Sequence, residues 1–131
     1  MRLLLDTHIV LWRLTDDIRL PRRACDIMDQ EATSIEVSAI SIWEVTVKWA
    51  LRKGRAGDMT VSGRQFQQEL ELAGIPLLPV MPNHAAAVDD LPLLHGDPFD
   101  RFLIATARHE GMTLLTHDSV LVQYGDAVLV V

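Results

Sequence analysis

Five carboxylates stand out by their placement. Asp6 directly follows the apolar run Leu3 to Leu5, and Glu44 sits in an otherwise apolar stretch. Asp97 and Asp100 bracket Pro98 and Phe99, and Asp118 comes just after Thr113 to Thr116. Carboxylates brought close together repel and raise one another's pKa, so a cluster of them needs a cation. Magnesium or manganese suits, because hard divalent ions prefer oxygen ligands and keep several waters. Such an ion activates a water and stabilises charge on a phosphodiester. Asp6, Glu44, Asp97, Asp100 and Asp118 are therefore the candidate metal ligands.

Each acid also has a structural reading. Asp6 suits a strand-end turn. Glu44 suits a surface helix, paired with Lys48 at i,i+4. Asp97 precedes proline and reads as an N-cap. Asp100 suits the positive end of the same helix. Asp118 suits a cap for a turn over Ser119 to Val122.

Other chemistries lack their residues. The five histidines form no zinc spacing, and Cys25 stands alone. There is no phosphate-cradling glycine motif and no nucleophile elbow. His8 and His117 each lie beside a candidate acid, as substrate contacts or as solvated, hydrogen-bonded side chains. Arg13, Arg52, Lys53, Arg55 and Arg101 are candidate phosphate contacts or ordinary surface charges. Trp12, Trp43 and Trp49 read as core or interface anchors.

The elements that must position these acids alternate. Strands are predicted over Arg2 to Asp6, Ser34 to Ala39, Ile75 to Val80, Thr113 to Thr116 and Ala127 to Val131. Helices are predicted over Thr7 to Leu14, Pro21 to Gln30, Ile40 to Lys53, Val61 to Ala73, Pro82 to Leu91 and Phe99 to Glu110. The prolines near Ile75 to Val80 mark an edge strand. In Ile40 to Lys53 the polar residues Ser41, Glu44, Lys48 and Arg52 make one narrow stripe. Ile40, Ile42, Trp43, Val45, Val47, Trp49 and Leu51 cover most of the remaining surface, so the helix is expected to be buried on more than one side or against a second subunit. Alternation of strand and helix implies α/β architecture, a mainly parallel sheet with helices on both faces. The crevice of such a sheet lies at the carboxyl ends of its strands, where these acids fall.

The chain has 131 residues and reads as one domain over residues 1–131. Its 12 basic and 18 acidic residues give a net charge of −6, so it lacks the global positive field of a sequence-independent DNA binder. A lone cysteine fits a reducing cytoplasm, and the N-terminus does not read as a signal peptide. No apolar run is long enough for a bilayer.

Three segments, LLLDTHIVLWRLTDD, VSAISIWEVTVKWALRKG and HGDPFDRFLIATARHEGMTLLTHD, resemble PIN domains, nearest the VapC-type toxins of type II toxin–antitoxin modules. The resemblance runs in order over nearly the whole chain. It implies a three-layer, Rossmann-like α/β/α fold and a magnesium- or manganese-dependent endoribonuclease. It matches Asp6, Glu44, Asp100 and Asp118 to the family's acidic quartet, with Asp97 as an additional candidate. Thr7 and Thr116 match hydroxyl positions that support the acids. His8 and His117 depart from residues common in relatives. The resemblance further implies an RNA substrate, a cognate antitoxin and a homodimer. Two other readings compete. A receiver-like phosphoacceptor domain would need a second acid beside Asp6 and a lysine in the C-terminal half, and the chain has neither. A non-catalytic PIN-like module binding RNA or protein is the other.

Overall fold

A computed structural model describes residues 1–131. Five strands form one sheet: β1 (Arg2–Leu5), β2 (Ser34–Ser38), β3 (Leu77–Leu78), β4 (Thr113–Thr116) and β5 (Val128–Val130). Their order is β3-β2-β1-β4-β5, and every pairing is parallel. The expected α/β sheet is what forms, and the proline-flanked β3 is an edge strand, trimmed to two residues. Six helices connect the strands: α1 (Thr7–Leu14), α2 (Arg22–Asp26), α3 (Ala39–Ala50), α4 (Gly63–Leu72), α5 (Pro82–Ala87) and α6 (Pro98–Glu110). After α2 the chain widens into a π-turn over Ile27–Glu31. Short 3-10 turns follow α5 and β4.

Alternation along β1 divides the core. Leu3 and Leu5 join Ile9, Ile27, Phe66 and Leu70 on one face. Leu4 joins Leu103, Ile104, Leu114 and Leu121 on the other. Fully burying a leucine or phenylalanine contributes about 1.5–3 kcal/mol, so each face is a substantial clamp on the sheet. Strand β1 is buried on both faces, as its unbroken leucines require.

Chain order runs outward from β1 to β2 and β3, then returns to the other flank for β4 and β5. The direction of winding changes between β1 and β4, so a crevice opens at their carboxyl ends. Helix α6 has the predicted punctuation. Asp97 caps it by accepting from the Phe99 and Asp100 N–H groups, and Gly111 ends it in a left-handed turn at φ 65°. His84, fully buried on α5, accepts from the Met81 N–H and meets Glu110 at 2.6 Å, locking α5 to α6.

Helix α3 departs from expectation. It ends at Ala50, short of Gly54, with Leu51 as its cap. The first half of its polar stripe does not face water: Ser41 and Glu44 are buried, while Trp43 is 57% exposed. The inner half of the stripe looks into the crevice beside the fully buried Val45, Ile40 and Ile42 pack against the core, and Trp43 stands outside. Helix α4 crosses α3 at Gly63, where an added Cβ would lie 1.8 Å from Thr46 Oγ1. No helix is long and apolar enough to cross a membrane.

Candidate functional site

The crevice is built from strand ends and helix starts. Asp6 leaves β1 still in the ladder, its N–H donating to the Leu115 carbonyl at 3.0 Å. That pins its carboxylate beside β4, where the Thr116 hydroxyl donates to Asp6 Oδ2 at 2.6 Å. Asp6 is 5% exposed. Burial raises its pKa foremost. The Thr116 bond and the charge of His8 oppose that rise, and the charge of Glu44 adds to it.

Glu44 sits one turn into α3 and is 2% exposed. The Thr7 hydroxyl donates to its Oε1 at 2.7 Å, and Lys48 Nζ donates to its Oε2 at 2.5 Å. Ser41 Oγ lies 2.9 Å from the Thr7 hydroxyl. Thr7 gives its single proton to the carboxylate, so Ser41 donates to Thr7. The i,i+4 pair read from the sequence is present, in a buried crevice rather than on a surface.

Asp97 and Asp100 come from the first turn of α6. Asp97 Oδ1 accepts from the Phe99 N–H at 2.8 Å and the Asp100 N–H at 3.3 Å. Asp100 Oδ2 meets His95 Nε2 at 2.9 Å. Burial pushes the Asp100 pKa up to about 7, helped by the charges of Asp6, Asp97 and Glu44 and opposed by the His95 bond. Desolvation opposes the charge on Lys48, yet its bond to Glu44 and the charges of Glu44, Asp97 and Asp100 hold its pKa above the ordinary value.

Asp6, Glu44, Asp97 and Asp100 thus share one electrostatic neighbourhood. The tightest group within it is His95, Asp97 and Asp100, whose ligand atoms all lie within 4.8 Å of one another. Asp118 is joined to it through the backbone. Its N–H donates to Thr116 Oγ1 at 3.1 Å, while its carboxylate caps the following turn at the Val120 N–H, 3.0 Å away. Sequence reasoning missed His95 and Ser41 as contributors and read Lys48 only as the partner in a surface pair. The signals were a histidine two residues before Asp97 and a polar stripe whose direction could not be read.

The donor set is dominated by carboxylate oxygen, and two of its acids are strained upward in pKa by burial and mutual repulsion. Both features suit a hard divalent cation. Asp6, Asp97 and Asp100 each have one carboxylate oxygen without a side-chain or capping partner and are the residues that would hold it.

The surrounding basic and aromatic residues divide. Arg101 reaches the Pro92 carbonyl and Tyr124, Arg13 pairs with Asp29 at 2.7 Å, and Arg52 lies 3.6 Å over the Trp49 ring. These three have partners within the chain, as the reading of ordinary surface charges expects. Lys53 and Arg55 lie on an exposed loop. Trp12 is half-buried, flanked by His8, His117 and Arg19. The largest cavity, about 650 Å³ and lined by Leu14, Met28, Ser34 and Ile75 among others, contains none of the clustered carboxylates. Volume is no guide to the chemistry in this molecule.

The family model of the PIN domain matches residues 3–127. Ribonuclease VapC22 of Mycobacterium tuberculosis is 30% identical over 116 residues, covering 88% of this chain and 85% of that protein. Among solved structures, VapBC2 of Rickettsia felis, bound to a DNA fragment from its promoter, superposes with a TM-score of 0.67. It is 15% identical and covers 100% of this chain and 98% of that one. FitAcB of Neisseria gonorrhoeae superposes with a TM-score of 0.63 at 21% identity, covering 97% and 96%. At those identities the structures share the fold, while the family model and the VapC22 relative establish kinship. The chain belongs to the PIN-domain family and, within it, to the VapC type.

Proposed function

We propose that this protein is a divalent-metal-dependent endoribonuclease, the toxin of a toxin–antitoxin pair, working in the cytoplasm as a homodimer. The observation that carries the catalytic part is the convergence of Asp6, Glu44, Asp97 and Asp100 at the strand ends, with Asp100 pushed up to about 7. Kinship with a protein named as a ribonuclease supplies the substrate class. The toxin–antitoxin complexes among its structural neighbours supply the partner class.

A bound magnesium or manganese ion would supply an activated water and stabilise charge on the phosphodiester. Asp6, Asp97 and Asp100 offer their uncommitted oxygens to it. Thr116 fixes the Asp6 carboxylate and His95 fixes that of Asp100, so neither has to be ordered during the reaction. Glu44, held by Thr7 and Lys48, is placed to orient the attacking water or complete the ion's shell. Asp118, whose carboxylate caps the following turn, would complete the ion's shell or help a second ion bind as substrate enters. In-line attack by water leaves 5′-phosphate and 3′-hydroxyl ends and makes no use of the 2′-hydroxyl, so RNA preference rests on shape and contacts.

The test is cleavage of RNA by the purified protein with magnesium or manganese, with and without EDTA, alongside folded Asp6→Asn and Asp100→Asn variants. Loss of cleavage in EDTA and in both variants is expected. Full activity in both variants would overturn the carboxylate assignment. Binding of RNA without turnover under any condition would establish the non-catalytic alternative.

A further inference from the structure

Glu44 differs from the three aspartates around it in how its oxygens are used. Asp6, Asp97 and Asp100 each commit one carboxylate oxygen to a hydroxyl, a pair of backbone N–H groups or a histidine. Glu44 commits both, Oε1 to Thr7 and Oε2 to the Lys48 ammonium. Lys48 leaves α3 one turn after Glu44, and its side chain is 36% exposed against 3% for Glu44. The charges of Asp97 and Asp100 favour its ammonium as well, so its electrostatic partners include the whole acidic group and not Glu44 alone. The only other lysine, Lys53, is on the exposed loop beyond the helix.

We propose that Lys48 is a built-in counter-cation that holds Glu44 back from direct coordination and so sets the site's affinity for a divalent ion. The proposal rests on the reading that the crevice binds such an ion. Three aspartates offering single oxygens leave room for the waters that magnesium and manganese retain. Glu44, tied to the ammonium, then acts on one of those waters from outside the shell. A fixed positive charge beside the pocket also repels an incoming dication. In a partly desolvated setting that repulsion weakens binding by about tenfold or more. Lys48 is thus a positioning residue. It preserves an open, exchangeable shell at the expense of tight binding.

Calorimetric titration of EDTA-stripped protein with manganese chloride tests this without reference to activity. Lys48→Met, which keeps the aliphatic stem and removes the charge, should bind manganese at least about tenfold more tightly. Lys48→Arg should stay near wild type. The gain should shrink clearly in a Glu44→Gln background, where the repulsion is still relieved but no carboxylate is released. Should Lys48→Met fail to fold, Lys48→Gln makes the same measurement. Unchanged or weaker manganese binding on loss of the charge, or an equal gain without Glu44, would overturn the proposal. RNA cleavage by wild type and by Asp100→Asn is scored separately. An absence of cleavage removes the nuclease reading and leaves the affinity result standing. A flat affinity result beside normal, Asp100-dependent cleavage removes only the role of Lys48.

Discussion

Helices α3 and α6 both border the carboxylate crevice, yet α3 buries a carboxylate where α6 buries almost only apolar side chains. Helix α6 packs Leu103, Ile104, Ala105 and Ala107 inward, caps itself with Asp97 and stops at a left-handed glycine. It follows the ordinary rules of an amphipathic helix. Helix α3 buries Ser41 and Glu44 and leaves Trp43 in solvent. A charged side chain 2% exposed is tolerated only with partners on every side, and Glu44 has Thr7 and Lys48. A helix that buries a carboxylate beside Val45 and leaves a tryptophan outside marks where the fold yields to chemistry.

The largest expected effect tests that contrast. Glu44→Gln keeps the shape and one acceptor but removes the charge. If the buried face of α3 is catalytic, kcat/KM for RNA cleavage should fall by about 100-fold or more, as when other transition-state electrostatic groups are removed. Near-normal cleavage by a folded Glu44→Gln protein would make that buried face purely structural.

Next comes the joint that holds α3 in place. Gly63 lets α4 approach until a Cβ would strike Thr46 Oγ1 and crowd the Ile42 carbonyl. Gly63→Ala should therefore destabilise the protein by about 1–3 kcal/mol, as overpacking does elsewhere. Chemical denaturation reads this directly. A neutral result would mean that α3 and α4 separate freely, and α3 would not be fixed by its neighbour.

The α6 side of the crevice makes a pH-dependent prediction. Asp100 titrates at about 7 in the fold and near 3.8 when unfolded, so the folded chain holds a proton that the unfolded chain has lost across that window. Stability without a divalent ion should then be greatest below the unfolded value and fall as pH climbs toward 7. Asp100→Asn should flatten much of that slope and stabilise the protein at pH 8 by about 1–2 kcal/mol, after allowing for screening on the open side. Asp6, also raised, should leave a residual slope of the same sign. Denaturant midpoints from pH 5 to 8 in EDTA measure both. A wild-type profile rising with pH would show that the acids are not in conflict.

The same contrast explains what could be read from the chain alone. For α6 and β1, local signals agree with the tertiary outcome. Asp97-Pro98 and Gly111 set the ends of the helix, and three leucines demand burial on both faces of the strand. The parallel sheet and the meeting of Asp6 with Asp100 follow from strand–helix alternation. The orientation of α3 was illegible, because periodicity shows that a stripe exists without saying which side meets water. His95 was illegible as well. Its bond to Asp100 depends on how the loop before α6 folds back, and no periodic pattern encodes that. Gly63 lay unmarked within the predicted helix Val61 to Ala73, and only the crossing with Thr46 shows why nothing larger fits.

The smallest expected effect lies on the outside of α3. Trp43 is 57% exposed on a helix whose anchoring comes from Val45 and the buried polar residues. Removing a side chain that the fold scarcely covers changes the stability of an isolated chain by about 0.5 kcal/mol or less. Trp43→Ser should therefore leave the denaturation midpoint of dilute protein almost unmoved, although tryptophan is the largest apolar residue available to a core. The comparison sharpens as concentration rises. If the exposed apolar face is the surface on which two copies meet, the wild-type midpoint should climb with protein concentration and that of Trp43→Ser should not, because association stabilises only the state that associates. A concentration-independent wild-type midpoint would take Trp43 out of any dimer contact. A large loss in dilute Trp43→Ser protein would show instead that Trp43 anchors α3 in spite of its exposure.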